Sequence, residues 1–219
     1  MNNDAALKLE DDIREILLPS GLLPLGWFEI DGQSALLIGN VGSSQWQAFS
    51  GSEQFADDEA DPMNRWTVSV ISAMAEKLRP ELVEHIRYPF GDPNWPFQEY
   101  AKQALGIDQS PIGLLIHPEY GLWTAFRAVV IFADKFDLQE AQIPDHPCDT
   151  CSDRPCLNTC PIAAFTIDGY DYLACKSHVA GEQGRACREG GCLARLACPV
   201  GSQYRYQKPH QAFHMKAYI

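Results

Sequence analysis

The chain has 219 residues, 46% hydrophobic and 21% charged, an ordinary globular composition that can bury one large core or two modest ones. No run approaches the ~18 consecutive apolar residues of a membrane-spanning helix, and the start MNNDAALKLEDD lacks the basic region of a secretory signal, so the expectation is a cytoplasmic protein with no membrane partner. A net charge of −12 without a Lys/Arg cluster repels a phosphate backbone and excludes nucleic acid as a partner; it suits a basic redox partner protein, or simply solubility.

Leu7, Leu9, Ile13, Ile16 and Leu17 recur at mostly helical spacing and predict an amphipathic helix over 4–18, stopped by Pro19, Ser20 and Gly21. Trp27–Ile30 and Ser34–Val41 read as strands joined by the turn pair Asp31-Gly32. An acidic loop around 57–61 leads to a helix over 62–79, with Pro62 in its first turn, Trp66, Val70, Ile71, Met74 and Leu78 on one face, and Pro80 as its stop. A strand near Val83–Tyr88, a loop at GDPNWP and a helix over Phe97–Leu105 follow. Ile112–Ile116 and Thr124–Phe132 are apolar enough to be core strands, and 134–147 is a polar linker containing proline. This order predicts an α+β layer rather than βαβ alternation, with only short helices and turns beyond residue 160.

All eight cysteines lie between Cys148 and Cys198. That shift in composition divides the chain into an α+β domain over 1–140 and a cysteine-rich domain with a tail over 141–219. Cytosolic thiols are kept reduced, so clustered cysteines there bind metal or do redox chemistry. The first group, CDTCSDRPCLNTCP, places Cys148, Cys151, Cys156 and Cys160 ahead of Pro161; the second supplies Cys175, Cys187, Cys192 and Cys198, the last ahead of Pro199. A cubane 4Fe-4S cluster needs four outer thiolates. In two-cluster ferredoxin runs the cysteine before proline serves the other cluster, because the chain turns away after the third ligand. That crossover pairs Cys148, Cys151 and Cys156 with Cys198, and Cys160 with Cys175, Cys187 and Cys192. The gap before Cys156, four residues including Pro155, is longer than the usual two. Zinc sites, which also take four thiolates, and disulfides are the competing readings. Ile162, Ala163, Ala164, Phe165, Leu193 and Leu196 are candidates for an apolar shell around the clusters, or for ordinary core.

The segment over roughly 145–202 resembles the dicluster ferredoxin domain of epoxyqueuosine reductases and corrinoid-dependent reductive dehalogenases, including the isolated Cys175. The preceding SPIGLLIHPEYGLWTAFRAVVIFADKF is similar to a stretch of the CblC-type cobalamin-processing proteins, through Ile116, His117, Pro118, Gly121, Trp123 and Arg127. The resemblance implies a nitroreductase-like, CblC-like α+β domain followed by a small dicluster ferredoxin-like domain. It also implies cobalamin or another corrinoid as a ligand that receives electrons from the clusters. The alternative is a corrinoid- or flavin-dependent reductase with its active site in the N-terminal domain; a zinc-stabilised interaction module is the third reading. Four residues are candidate cofactor contacts. His117 is either a wall of the cofactor cavity or a loop histidine satisfied by backbone. Arg127, a charge in an apolar strand, either binds an anionic ligand group or forms an internal ion pair. Tyr120 and Trp123 either stack on a flat cofactor or belong to the core. His210 and His214 read as a solvated tail.

Overall fold

The computed structural model describes residues 3–139, 141–166 and 169–219. The chain opens with α1 (Asn3–Leu17), which buries Ala6, Leu9, Ile13 and Leu17 along one stripe. β1 (Leu23–Ile30) and β2 (Gln33–Val41) form an antiparallel hairpin. Asp31 and Gly32 both have positive φ, 53° and 81°, as a type I′ turn requires. β1 starts at Leu23, ahead of the expected Trp27, and its register shifts between Pro24 and Gly26 because proline cannot donate to the ladder. Short helices α2 (Trp46–Ser50) and α3 (Glu53–Ala56) precede α4 (Pro62–Lys77), with Pro62 in its first turn.

β3 (Val83–Arg87) and α5 (Phe97–Leu105) come next. β4 (Asp108–Gln109) and β5 (Leu115–Ile116) pair as a small hairpin, and β6 is Thr124–Phe132. The expected core strand over 112–116 is therefore corrected to a turn followed by two extended residues. Pro111 and Gly113, at φ 78°, bend the chain, and the Ser110 N–H closes the turn on the Leu114 carbonyl at 2.7 Å. The rest of the chain is short pieces: α6 (Pro155–Asn158), β7 (Phe165–Thr166), β8 (Gly169–Tyr170), α7 (Tyr172–Ala180), α8 (Arg185–Gly190), α9 (Leu193–Ala197) and α10 (Lys208–Met215).

Two compact units result. The first comprises Met1–Asn40, Ser44–Gly106 and Ala125–Ile143. Its sheet has the order β1-β2-β6-β3, making an α+β unit whose two inner strands are its driest elements. Trp27 packs on Phe132 and Phe136 at 5.3 and 5.5 Å and donates its indole N–H to Glu10 at 2.8 Å, which ties α1 to β1. α5 lies against β1 at Gly26, where a Cβ would stand 2.5 Å from the Ala104 carbonyl oxygen.

The second unit comprises Val41–Ser43, Ile107–Thr124 and Pro144–Ile219. The sequence places one boundary at residue 140, which itself lies outside the described residues. Ile107–Thr124 groups with the cysteine-rich segment because Ile112, Ile116 and Leu122 share a buried cluster with Cys156, Ala194 and Cys198. A second buried cluster joins Val179, Cys187 and Met215. Among the described residues no helix is long and apolar enough to cross a membrane.

The helix-to-strand approach at Gly26 is directly testable. Gly26→Ala should lower stability by about 1–3 kcal/mol through overpacking, whereas Gly51→Ala, whose Cβ would meet nothing nearer than 3.4 Å, should stay within about 0.5 kcal/mol of the parent. Denaturant midpoints of the two variants decide it.

Candidate functional site

The eight cysteines are free thiols and lie in the second unit, where they line two cavities. Cys148, Cys151, Cys156 and Cys198 line the first, and Cys160, Cys175, Cys187 and Cys192 line the second. Among the described residues no three His, Cys, Asp or Glu side chains are arranged to hold a single metal ion.

Local sequence dictates how each thiol is presented. The Cys148 N–H donates to His146 Nδ1 at 3.3 Å, and the Cys151 N–H returns to the Cys148 carbonyl at 3.3 Å, which makes the first tight turn. Arg154 takes φ 38° and Pro155 begins α6, so the long gap before Cys156 is a turn followed by a helix start that carries this cysteine into the core. After Cys160 the chain reverses: Ala163 adopts φ 49°, and the Ala164 N–H donates to Cys160 Sγ at 3.3 Å. α7, capped by the Asp171 carboxylate accepting from the Ala174 N–H at 2.9 Å, carries Cys175. α8 carries Cys187 and stops at Gly191, where φ is 95°; Cys192 and Cys198 then cap the two ends of α9.

The walls supply donors and shelter. Backbone N–H groups of Leu157, Leu193, Ala194, Arg195 and Val200 face the sulfurs of Cys156, Cys187, Cys192 and Cys198 and favour their thiolate forms. Burial opposes this and dominates, raising all four thiols. Cys148 is pushed up to about 11, by burial first and then by the neighbouring sulfurs of Cys198, Cys156 and Cys151. Four such thiolates repel one another, so a cation must neutralise them or protons must stay on. The second cavity, of about 380 Å³, has Ile162, Phe165 and Leu193 in its wall. There Tyr170 hydrogen-bonds Cys175 and Tyr218, and its phenol is held protonated far above the usual range by burial and these bonds. Arg195 brings a fixed positive charge to the same wall: its Nε donates to the Leu122 carbonyl at 3.1 Å, and its guanidinium lies 4.5 Å from both the Trp123 and Tyr206 rings.

Arg127, His117 and Tyr120 are engaged within their own units, whereas Trp123 packs against Arg195 and Tyr206 with its indole N–H buried and without a hydrogen-bond partner among the described residues. In the first unit Arg127 Nε donates to Asn40 Oδ1 at 3.1 Å. In the second, His117 Nδ1 accepts from the Glu119 and Tyr120 N–H groups at 3.1 and 3.2 Å, and its ring stacks on Tyr120 at 4.3 Å. Burial holds this imidazole below its ordinary range, against the pull of the Glu119 charge. Trp123 is 1% exposed. Gly121 has φ 58°, and a Cβ there would run into the Val200 carbonyl, so glycine lets this loop touch the segment after Cys198.

The reading of His210 and His214 as a solvated tail is corrected. His210 is 0% exposed in α10, with Nδ1 2.9 Å from Ser43 Oγ, Nε2 2.9 Å from His214 Nε2, and Tyr206 stacked on it at 4.0 Å. Sequence reasoning also missed Ser110, Tyr170 and Arg195 as wall residues. Only Arg195 carried a signal, a lone charge inside the apolar run CLARLACP.

No family model matches the sequence, and no curated protein matches it either. Solved structures do. A B12-trafficking protein of C. elegans, CblC, is 18% identical with a TM-score of 0.57, over 97% of this chain and 92% of that one, so the two share a fold. Epoxyqueuosine reductase from Streptococcus thermophilus is 18% identical with a TM-score of 0.48, over 77% of this chain and 49% of that one. The Bacillus subtilis reductase is 14% identical with a TM-score of 0.46, over 93% and 59%.

The raised Cys148 thiol fixes the sign of one pH effect. Between its ordinary value of about 9 and its folded value of about 11 the folded chain keeps a proton that the unfolded chain releases. Metal-free protein should therefore lose stability as pH rises through that window, and a denaturant midpoint that instead climbs from about pH 8 to about pH 10.5 contradicts the burial described.

Proposed function

We propose that this chain is an electron-transfer protein holding two 4Fe-4S clusters, one on Cys148, Cys151, Cys156 and Cys198 and one on Cys160, Cys175, Cys187 and Cys192. The observation that carries this reading is the division of eight thiols into two sets of four, each around its own cavity. It is the same division that the crossover of a two-cluster cysteine run requires. The first cavity is tight, about 20 Å³ against 380 Å³. A covalently held cluster still suits it, because a metal–sulfur bond of roughly 2.3 Å is far shorter than a nonbonded contact of about 3.5–4.0 Å. A single zinc requires four sulfurs converging on one point, and the described residues offer no such group.

Bound there, each cluster supplies one-electron transfer. The protein's own work is to exchange thiol protons for bonds to iron, to hold the sulfurs with backbone N–H groups, and to limit water. In the second set Arg195 and the Tyr170 hydroxyl oppose the build-up of negative charge. Substituting one metal-binding set leaves the other intact, since no cysteine belongs to both.

The acceptor to examine first is a corrinoid, because the fold is shared with a B12-trafficking protein. The candidate contacts do not support a bound corrinoid as the sequence reading placed it. His117 and Tyr120 stack on each other, Trp123 is buried beneath Arg195, and Arg127 is hydrogen-bonded to Asn40.

Anaerobically purified protein should contain about eight irons with matching sulfide; two zincs would overturn the proposal. The allocation has its own test. Cys148→Ala with Cys198→Ala removes two ligands of one set and should leave about four irons, whereas Cys148→Ala with Cys175→Ala damages both sets and should leave almost none. Equal iron in the two double variants contradicts the pairing. Cobalamin titration of the reduced protein completes the comparison: corrinoid reduction supports it as acceptor, and an unchanged visible spectrum removes it.

A further inference from the structure

Ser110 sits where β4 ends, and its backbone is fully engaged. Its N–H donates to the Leu114 carbonyl at 2.7 Å, and its carbonyl accepts from the Gly113 N–H at 2.9 Å. The side chain is a different matter. Ser110 is 6% exposed, and its Oγ is buried with no hydrogen-bond partner among the described residues. Such a hydroxyl is costly unless something absent from the protein's own atoms receives it. It lines the same cavity as Cys148, Cys151, Cys156 and Cys198.

Pro111, Pro147, Pro155 and Pro199 line that wall and have no N–H, while Ile116 and Leu122 contribute apolar surface. Its donors are the Leu157 and Val200 N–H groups, which face Cys156 and Cys198, the Arg154 guanidinium, whose charge acts on Cys148, and the buried Ser110 hydroxyl. Tyr170, His178, His214 and Arg195 bring polar groups to the lining of the second cavity. Among the described residues that line the first cavity, Ser110 supplies the only hydroxyl.

We propose that the Ser110 O–H donates a hydrogen bond to a sulfur of the centre held by Cys148, Cys151, Cys156 and Cys198, and so raises the reduction potential of that centre alone. The inference rests on the two-cluster reading. Its physics is differential: reduction adds one electron to the centre and negative charge to its sulfurs, so a donor aimed at them binds the reduced form more tightly than the oxidised one. No bond forms or breaks, and the proton stays on Oγ. Ser110 is a positioning and tuning residue, held in place by the hairpin turn. It also borders a wider recess with Gln109, His146 and Arg154, so a hydroxyl satisfied by solvent alone is the competing outcome.

The test is a redox titration of the iron-loaded protein, followed by electron paramagnetic resonance, on the parent, Ser110→Ala and Ser110→Thr. With iron and sulfide at parental levels, Ser110→Ala should move one of the two reduction waves to lower potential, and Ser110→Thr, which keeps the hydroxyl, should restore it. The wave that moves should be the one missing from the Cys148→Ala, Cys198→Ala variant. In deuterated buffer the parent should show an exchangeable-proton coupling on that centre that Ser110→Ala lacks. Full iron content with both waves unmoved, or a shift in the other wave, overturns the role of Ser110 and leaves the two-cluster reading standing. Parent protein without iron overturns both.

Discussion

Four sulfurs held around a small apolar space are compatible only while protons or cations cancel their charge. The second unit contains two such arrangements. As protonated thiols they are quiet, and burial pushes several of them away from ionisation. As thiolates they require a compensating positive charge. Everything else in the unit follows from keeping eight thiols near that balance: backbone N–H groups turned toward sulfur, apolar side chains that limit water, and a pinned guanidinium beside the second set.

The means are backbone devices that a short, irregular segment can afford. Proline starts α6 in front of Cys156, left-handed residues reverse the chain around Arg154 and Ala163, and glycines at 121 and 191 admit contacts that a side chain would block. The β4–β5 hairpin contributes Ile112, Ile116 and Ser110 to the same surroundings although it lies far from the cysteines in sequence. The first unit holds its fold differently, by two dry central strands and an aromatic group that anchors α1.

Where hydrophobic spacing is regular and flanked by clear stops, the sequence was an adequate guide. The helix over Asn3–Leu17, the Asp31-Gly32 turn, the helix started by Pro62, the helix over Phe97–Leu105 and the strand over Thr124–Phe132 were all legible, because each is set by interactions within a few residues. The stretch 112–116 was not. Its apolar run reads as a core strand, but Pro111 and Gly113 decide the backbone first, and the apolar side chains pack as a turn. His210 and His214 looked like a polar tail because no acidic residue lies near them in sequence; they meet each other and Tyr206 locally, but Ser43, which bonds His210, is 167 residues away.

Covalent chemistry is written in the order of residues, so cysteine number, their spacing and the two Cys-Pro endings by themselves carried the expectation of two sets of four thiols. Distance is not written there. Which side chains wall each set, that Ser110 brings an unspent hydroxyl to one and Arg195 a charge to the other, and that Trp123 is core instead of an open stacking face were decided by packing alone. The reason is that chain neighbours fix local torsions, whereas burial and electrostatics act through space on groups the sequence keeps far apart.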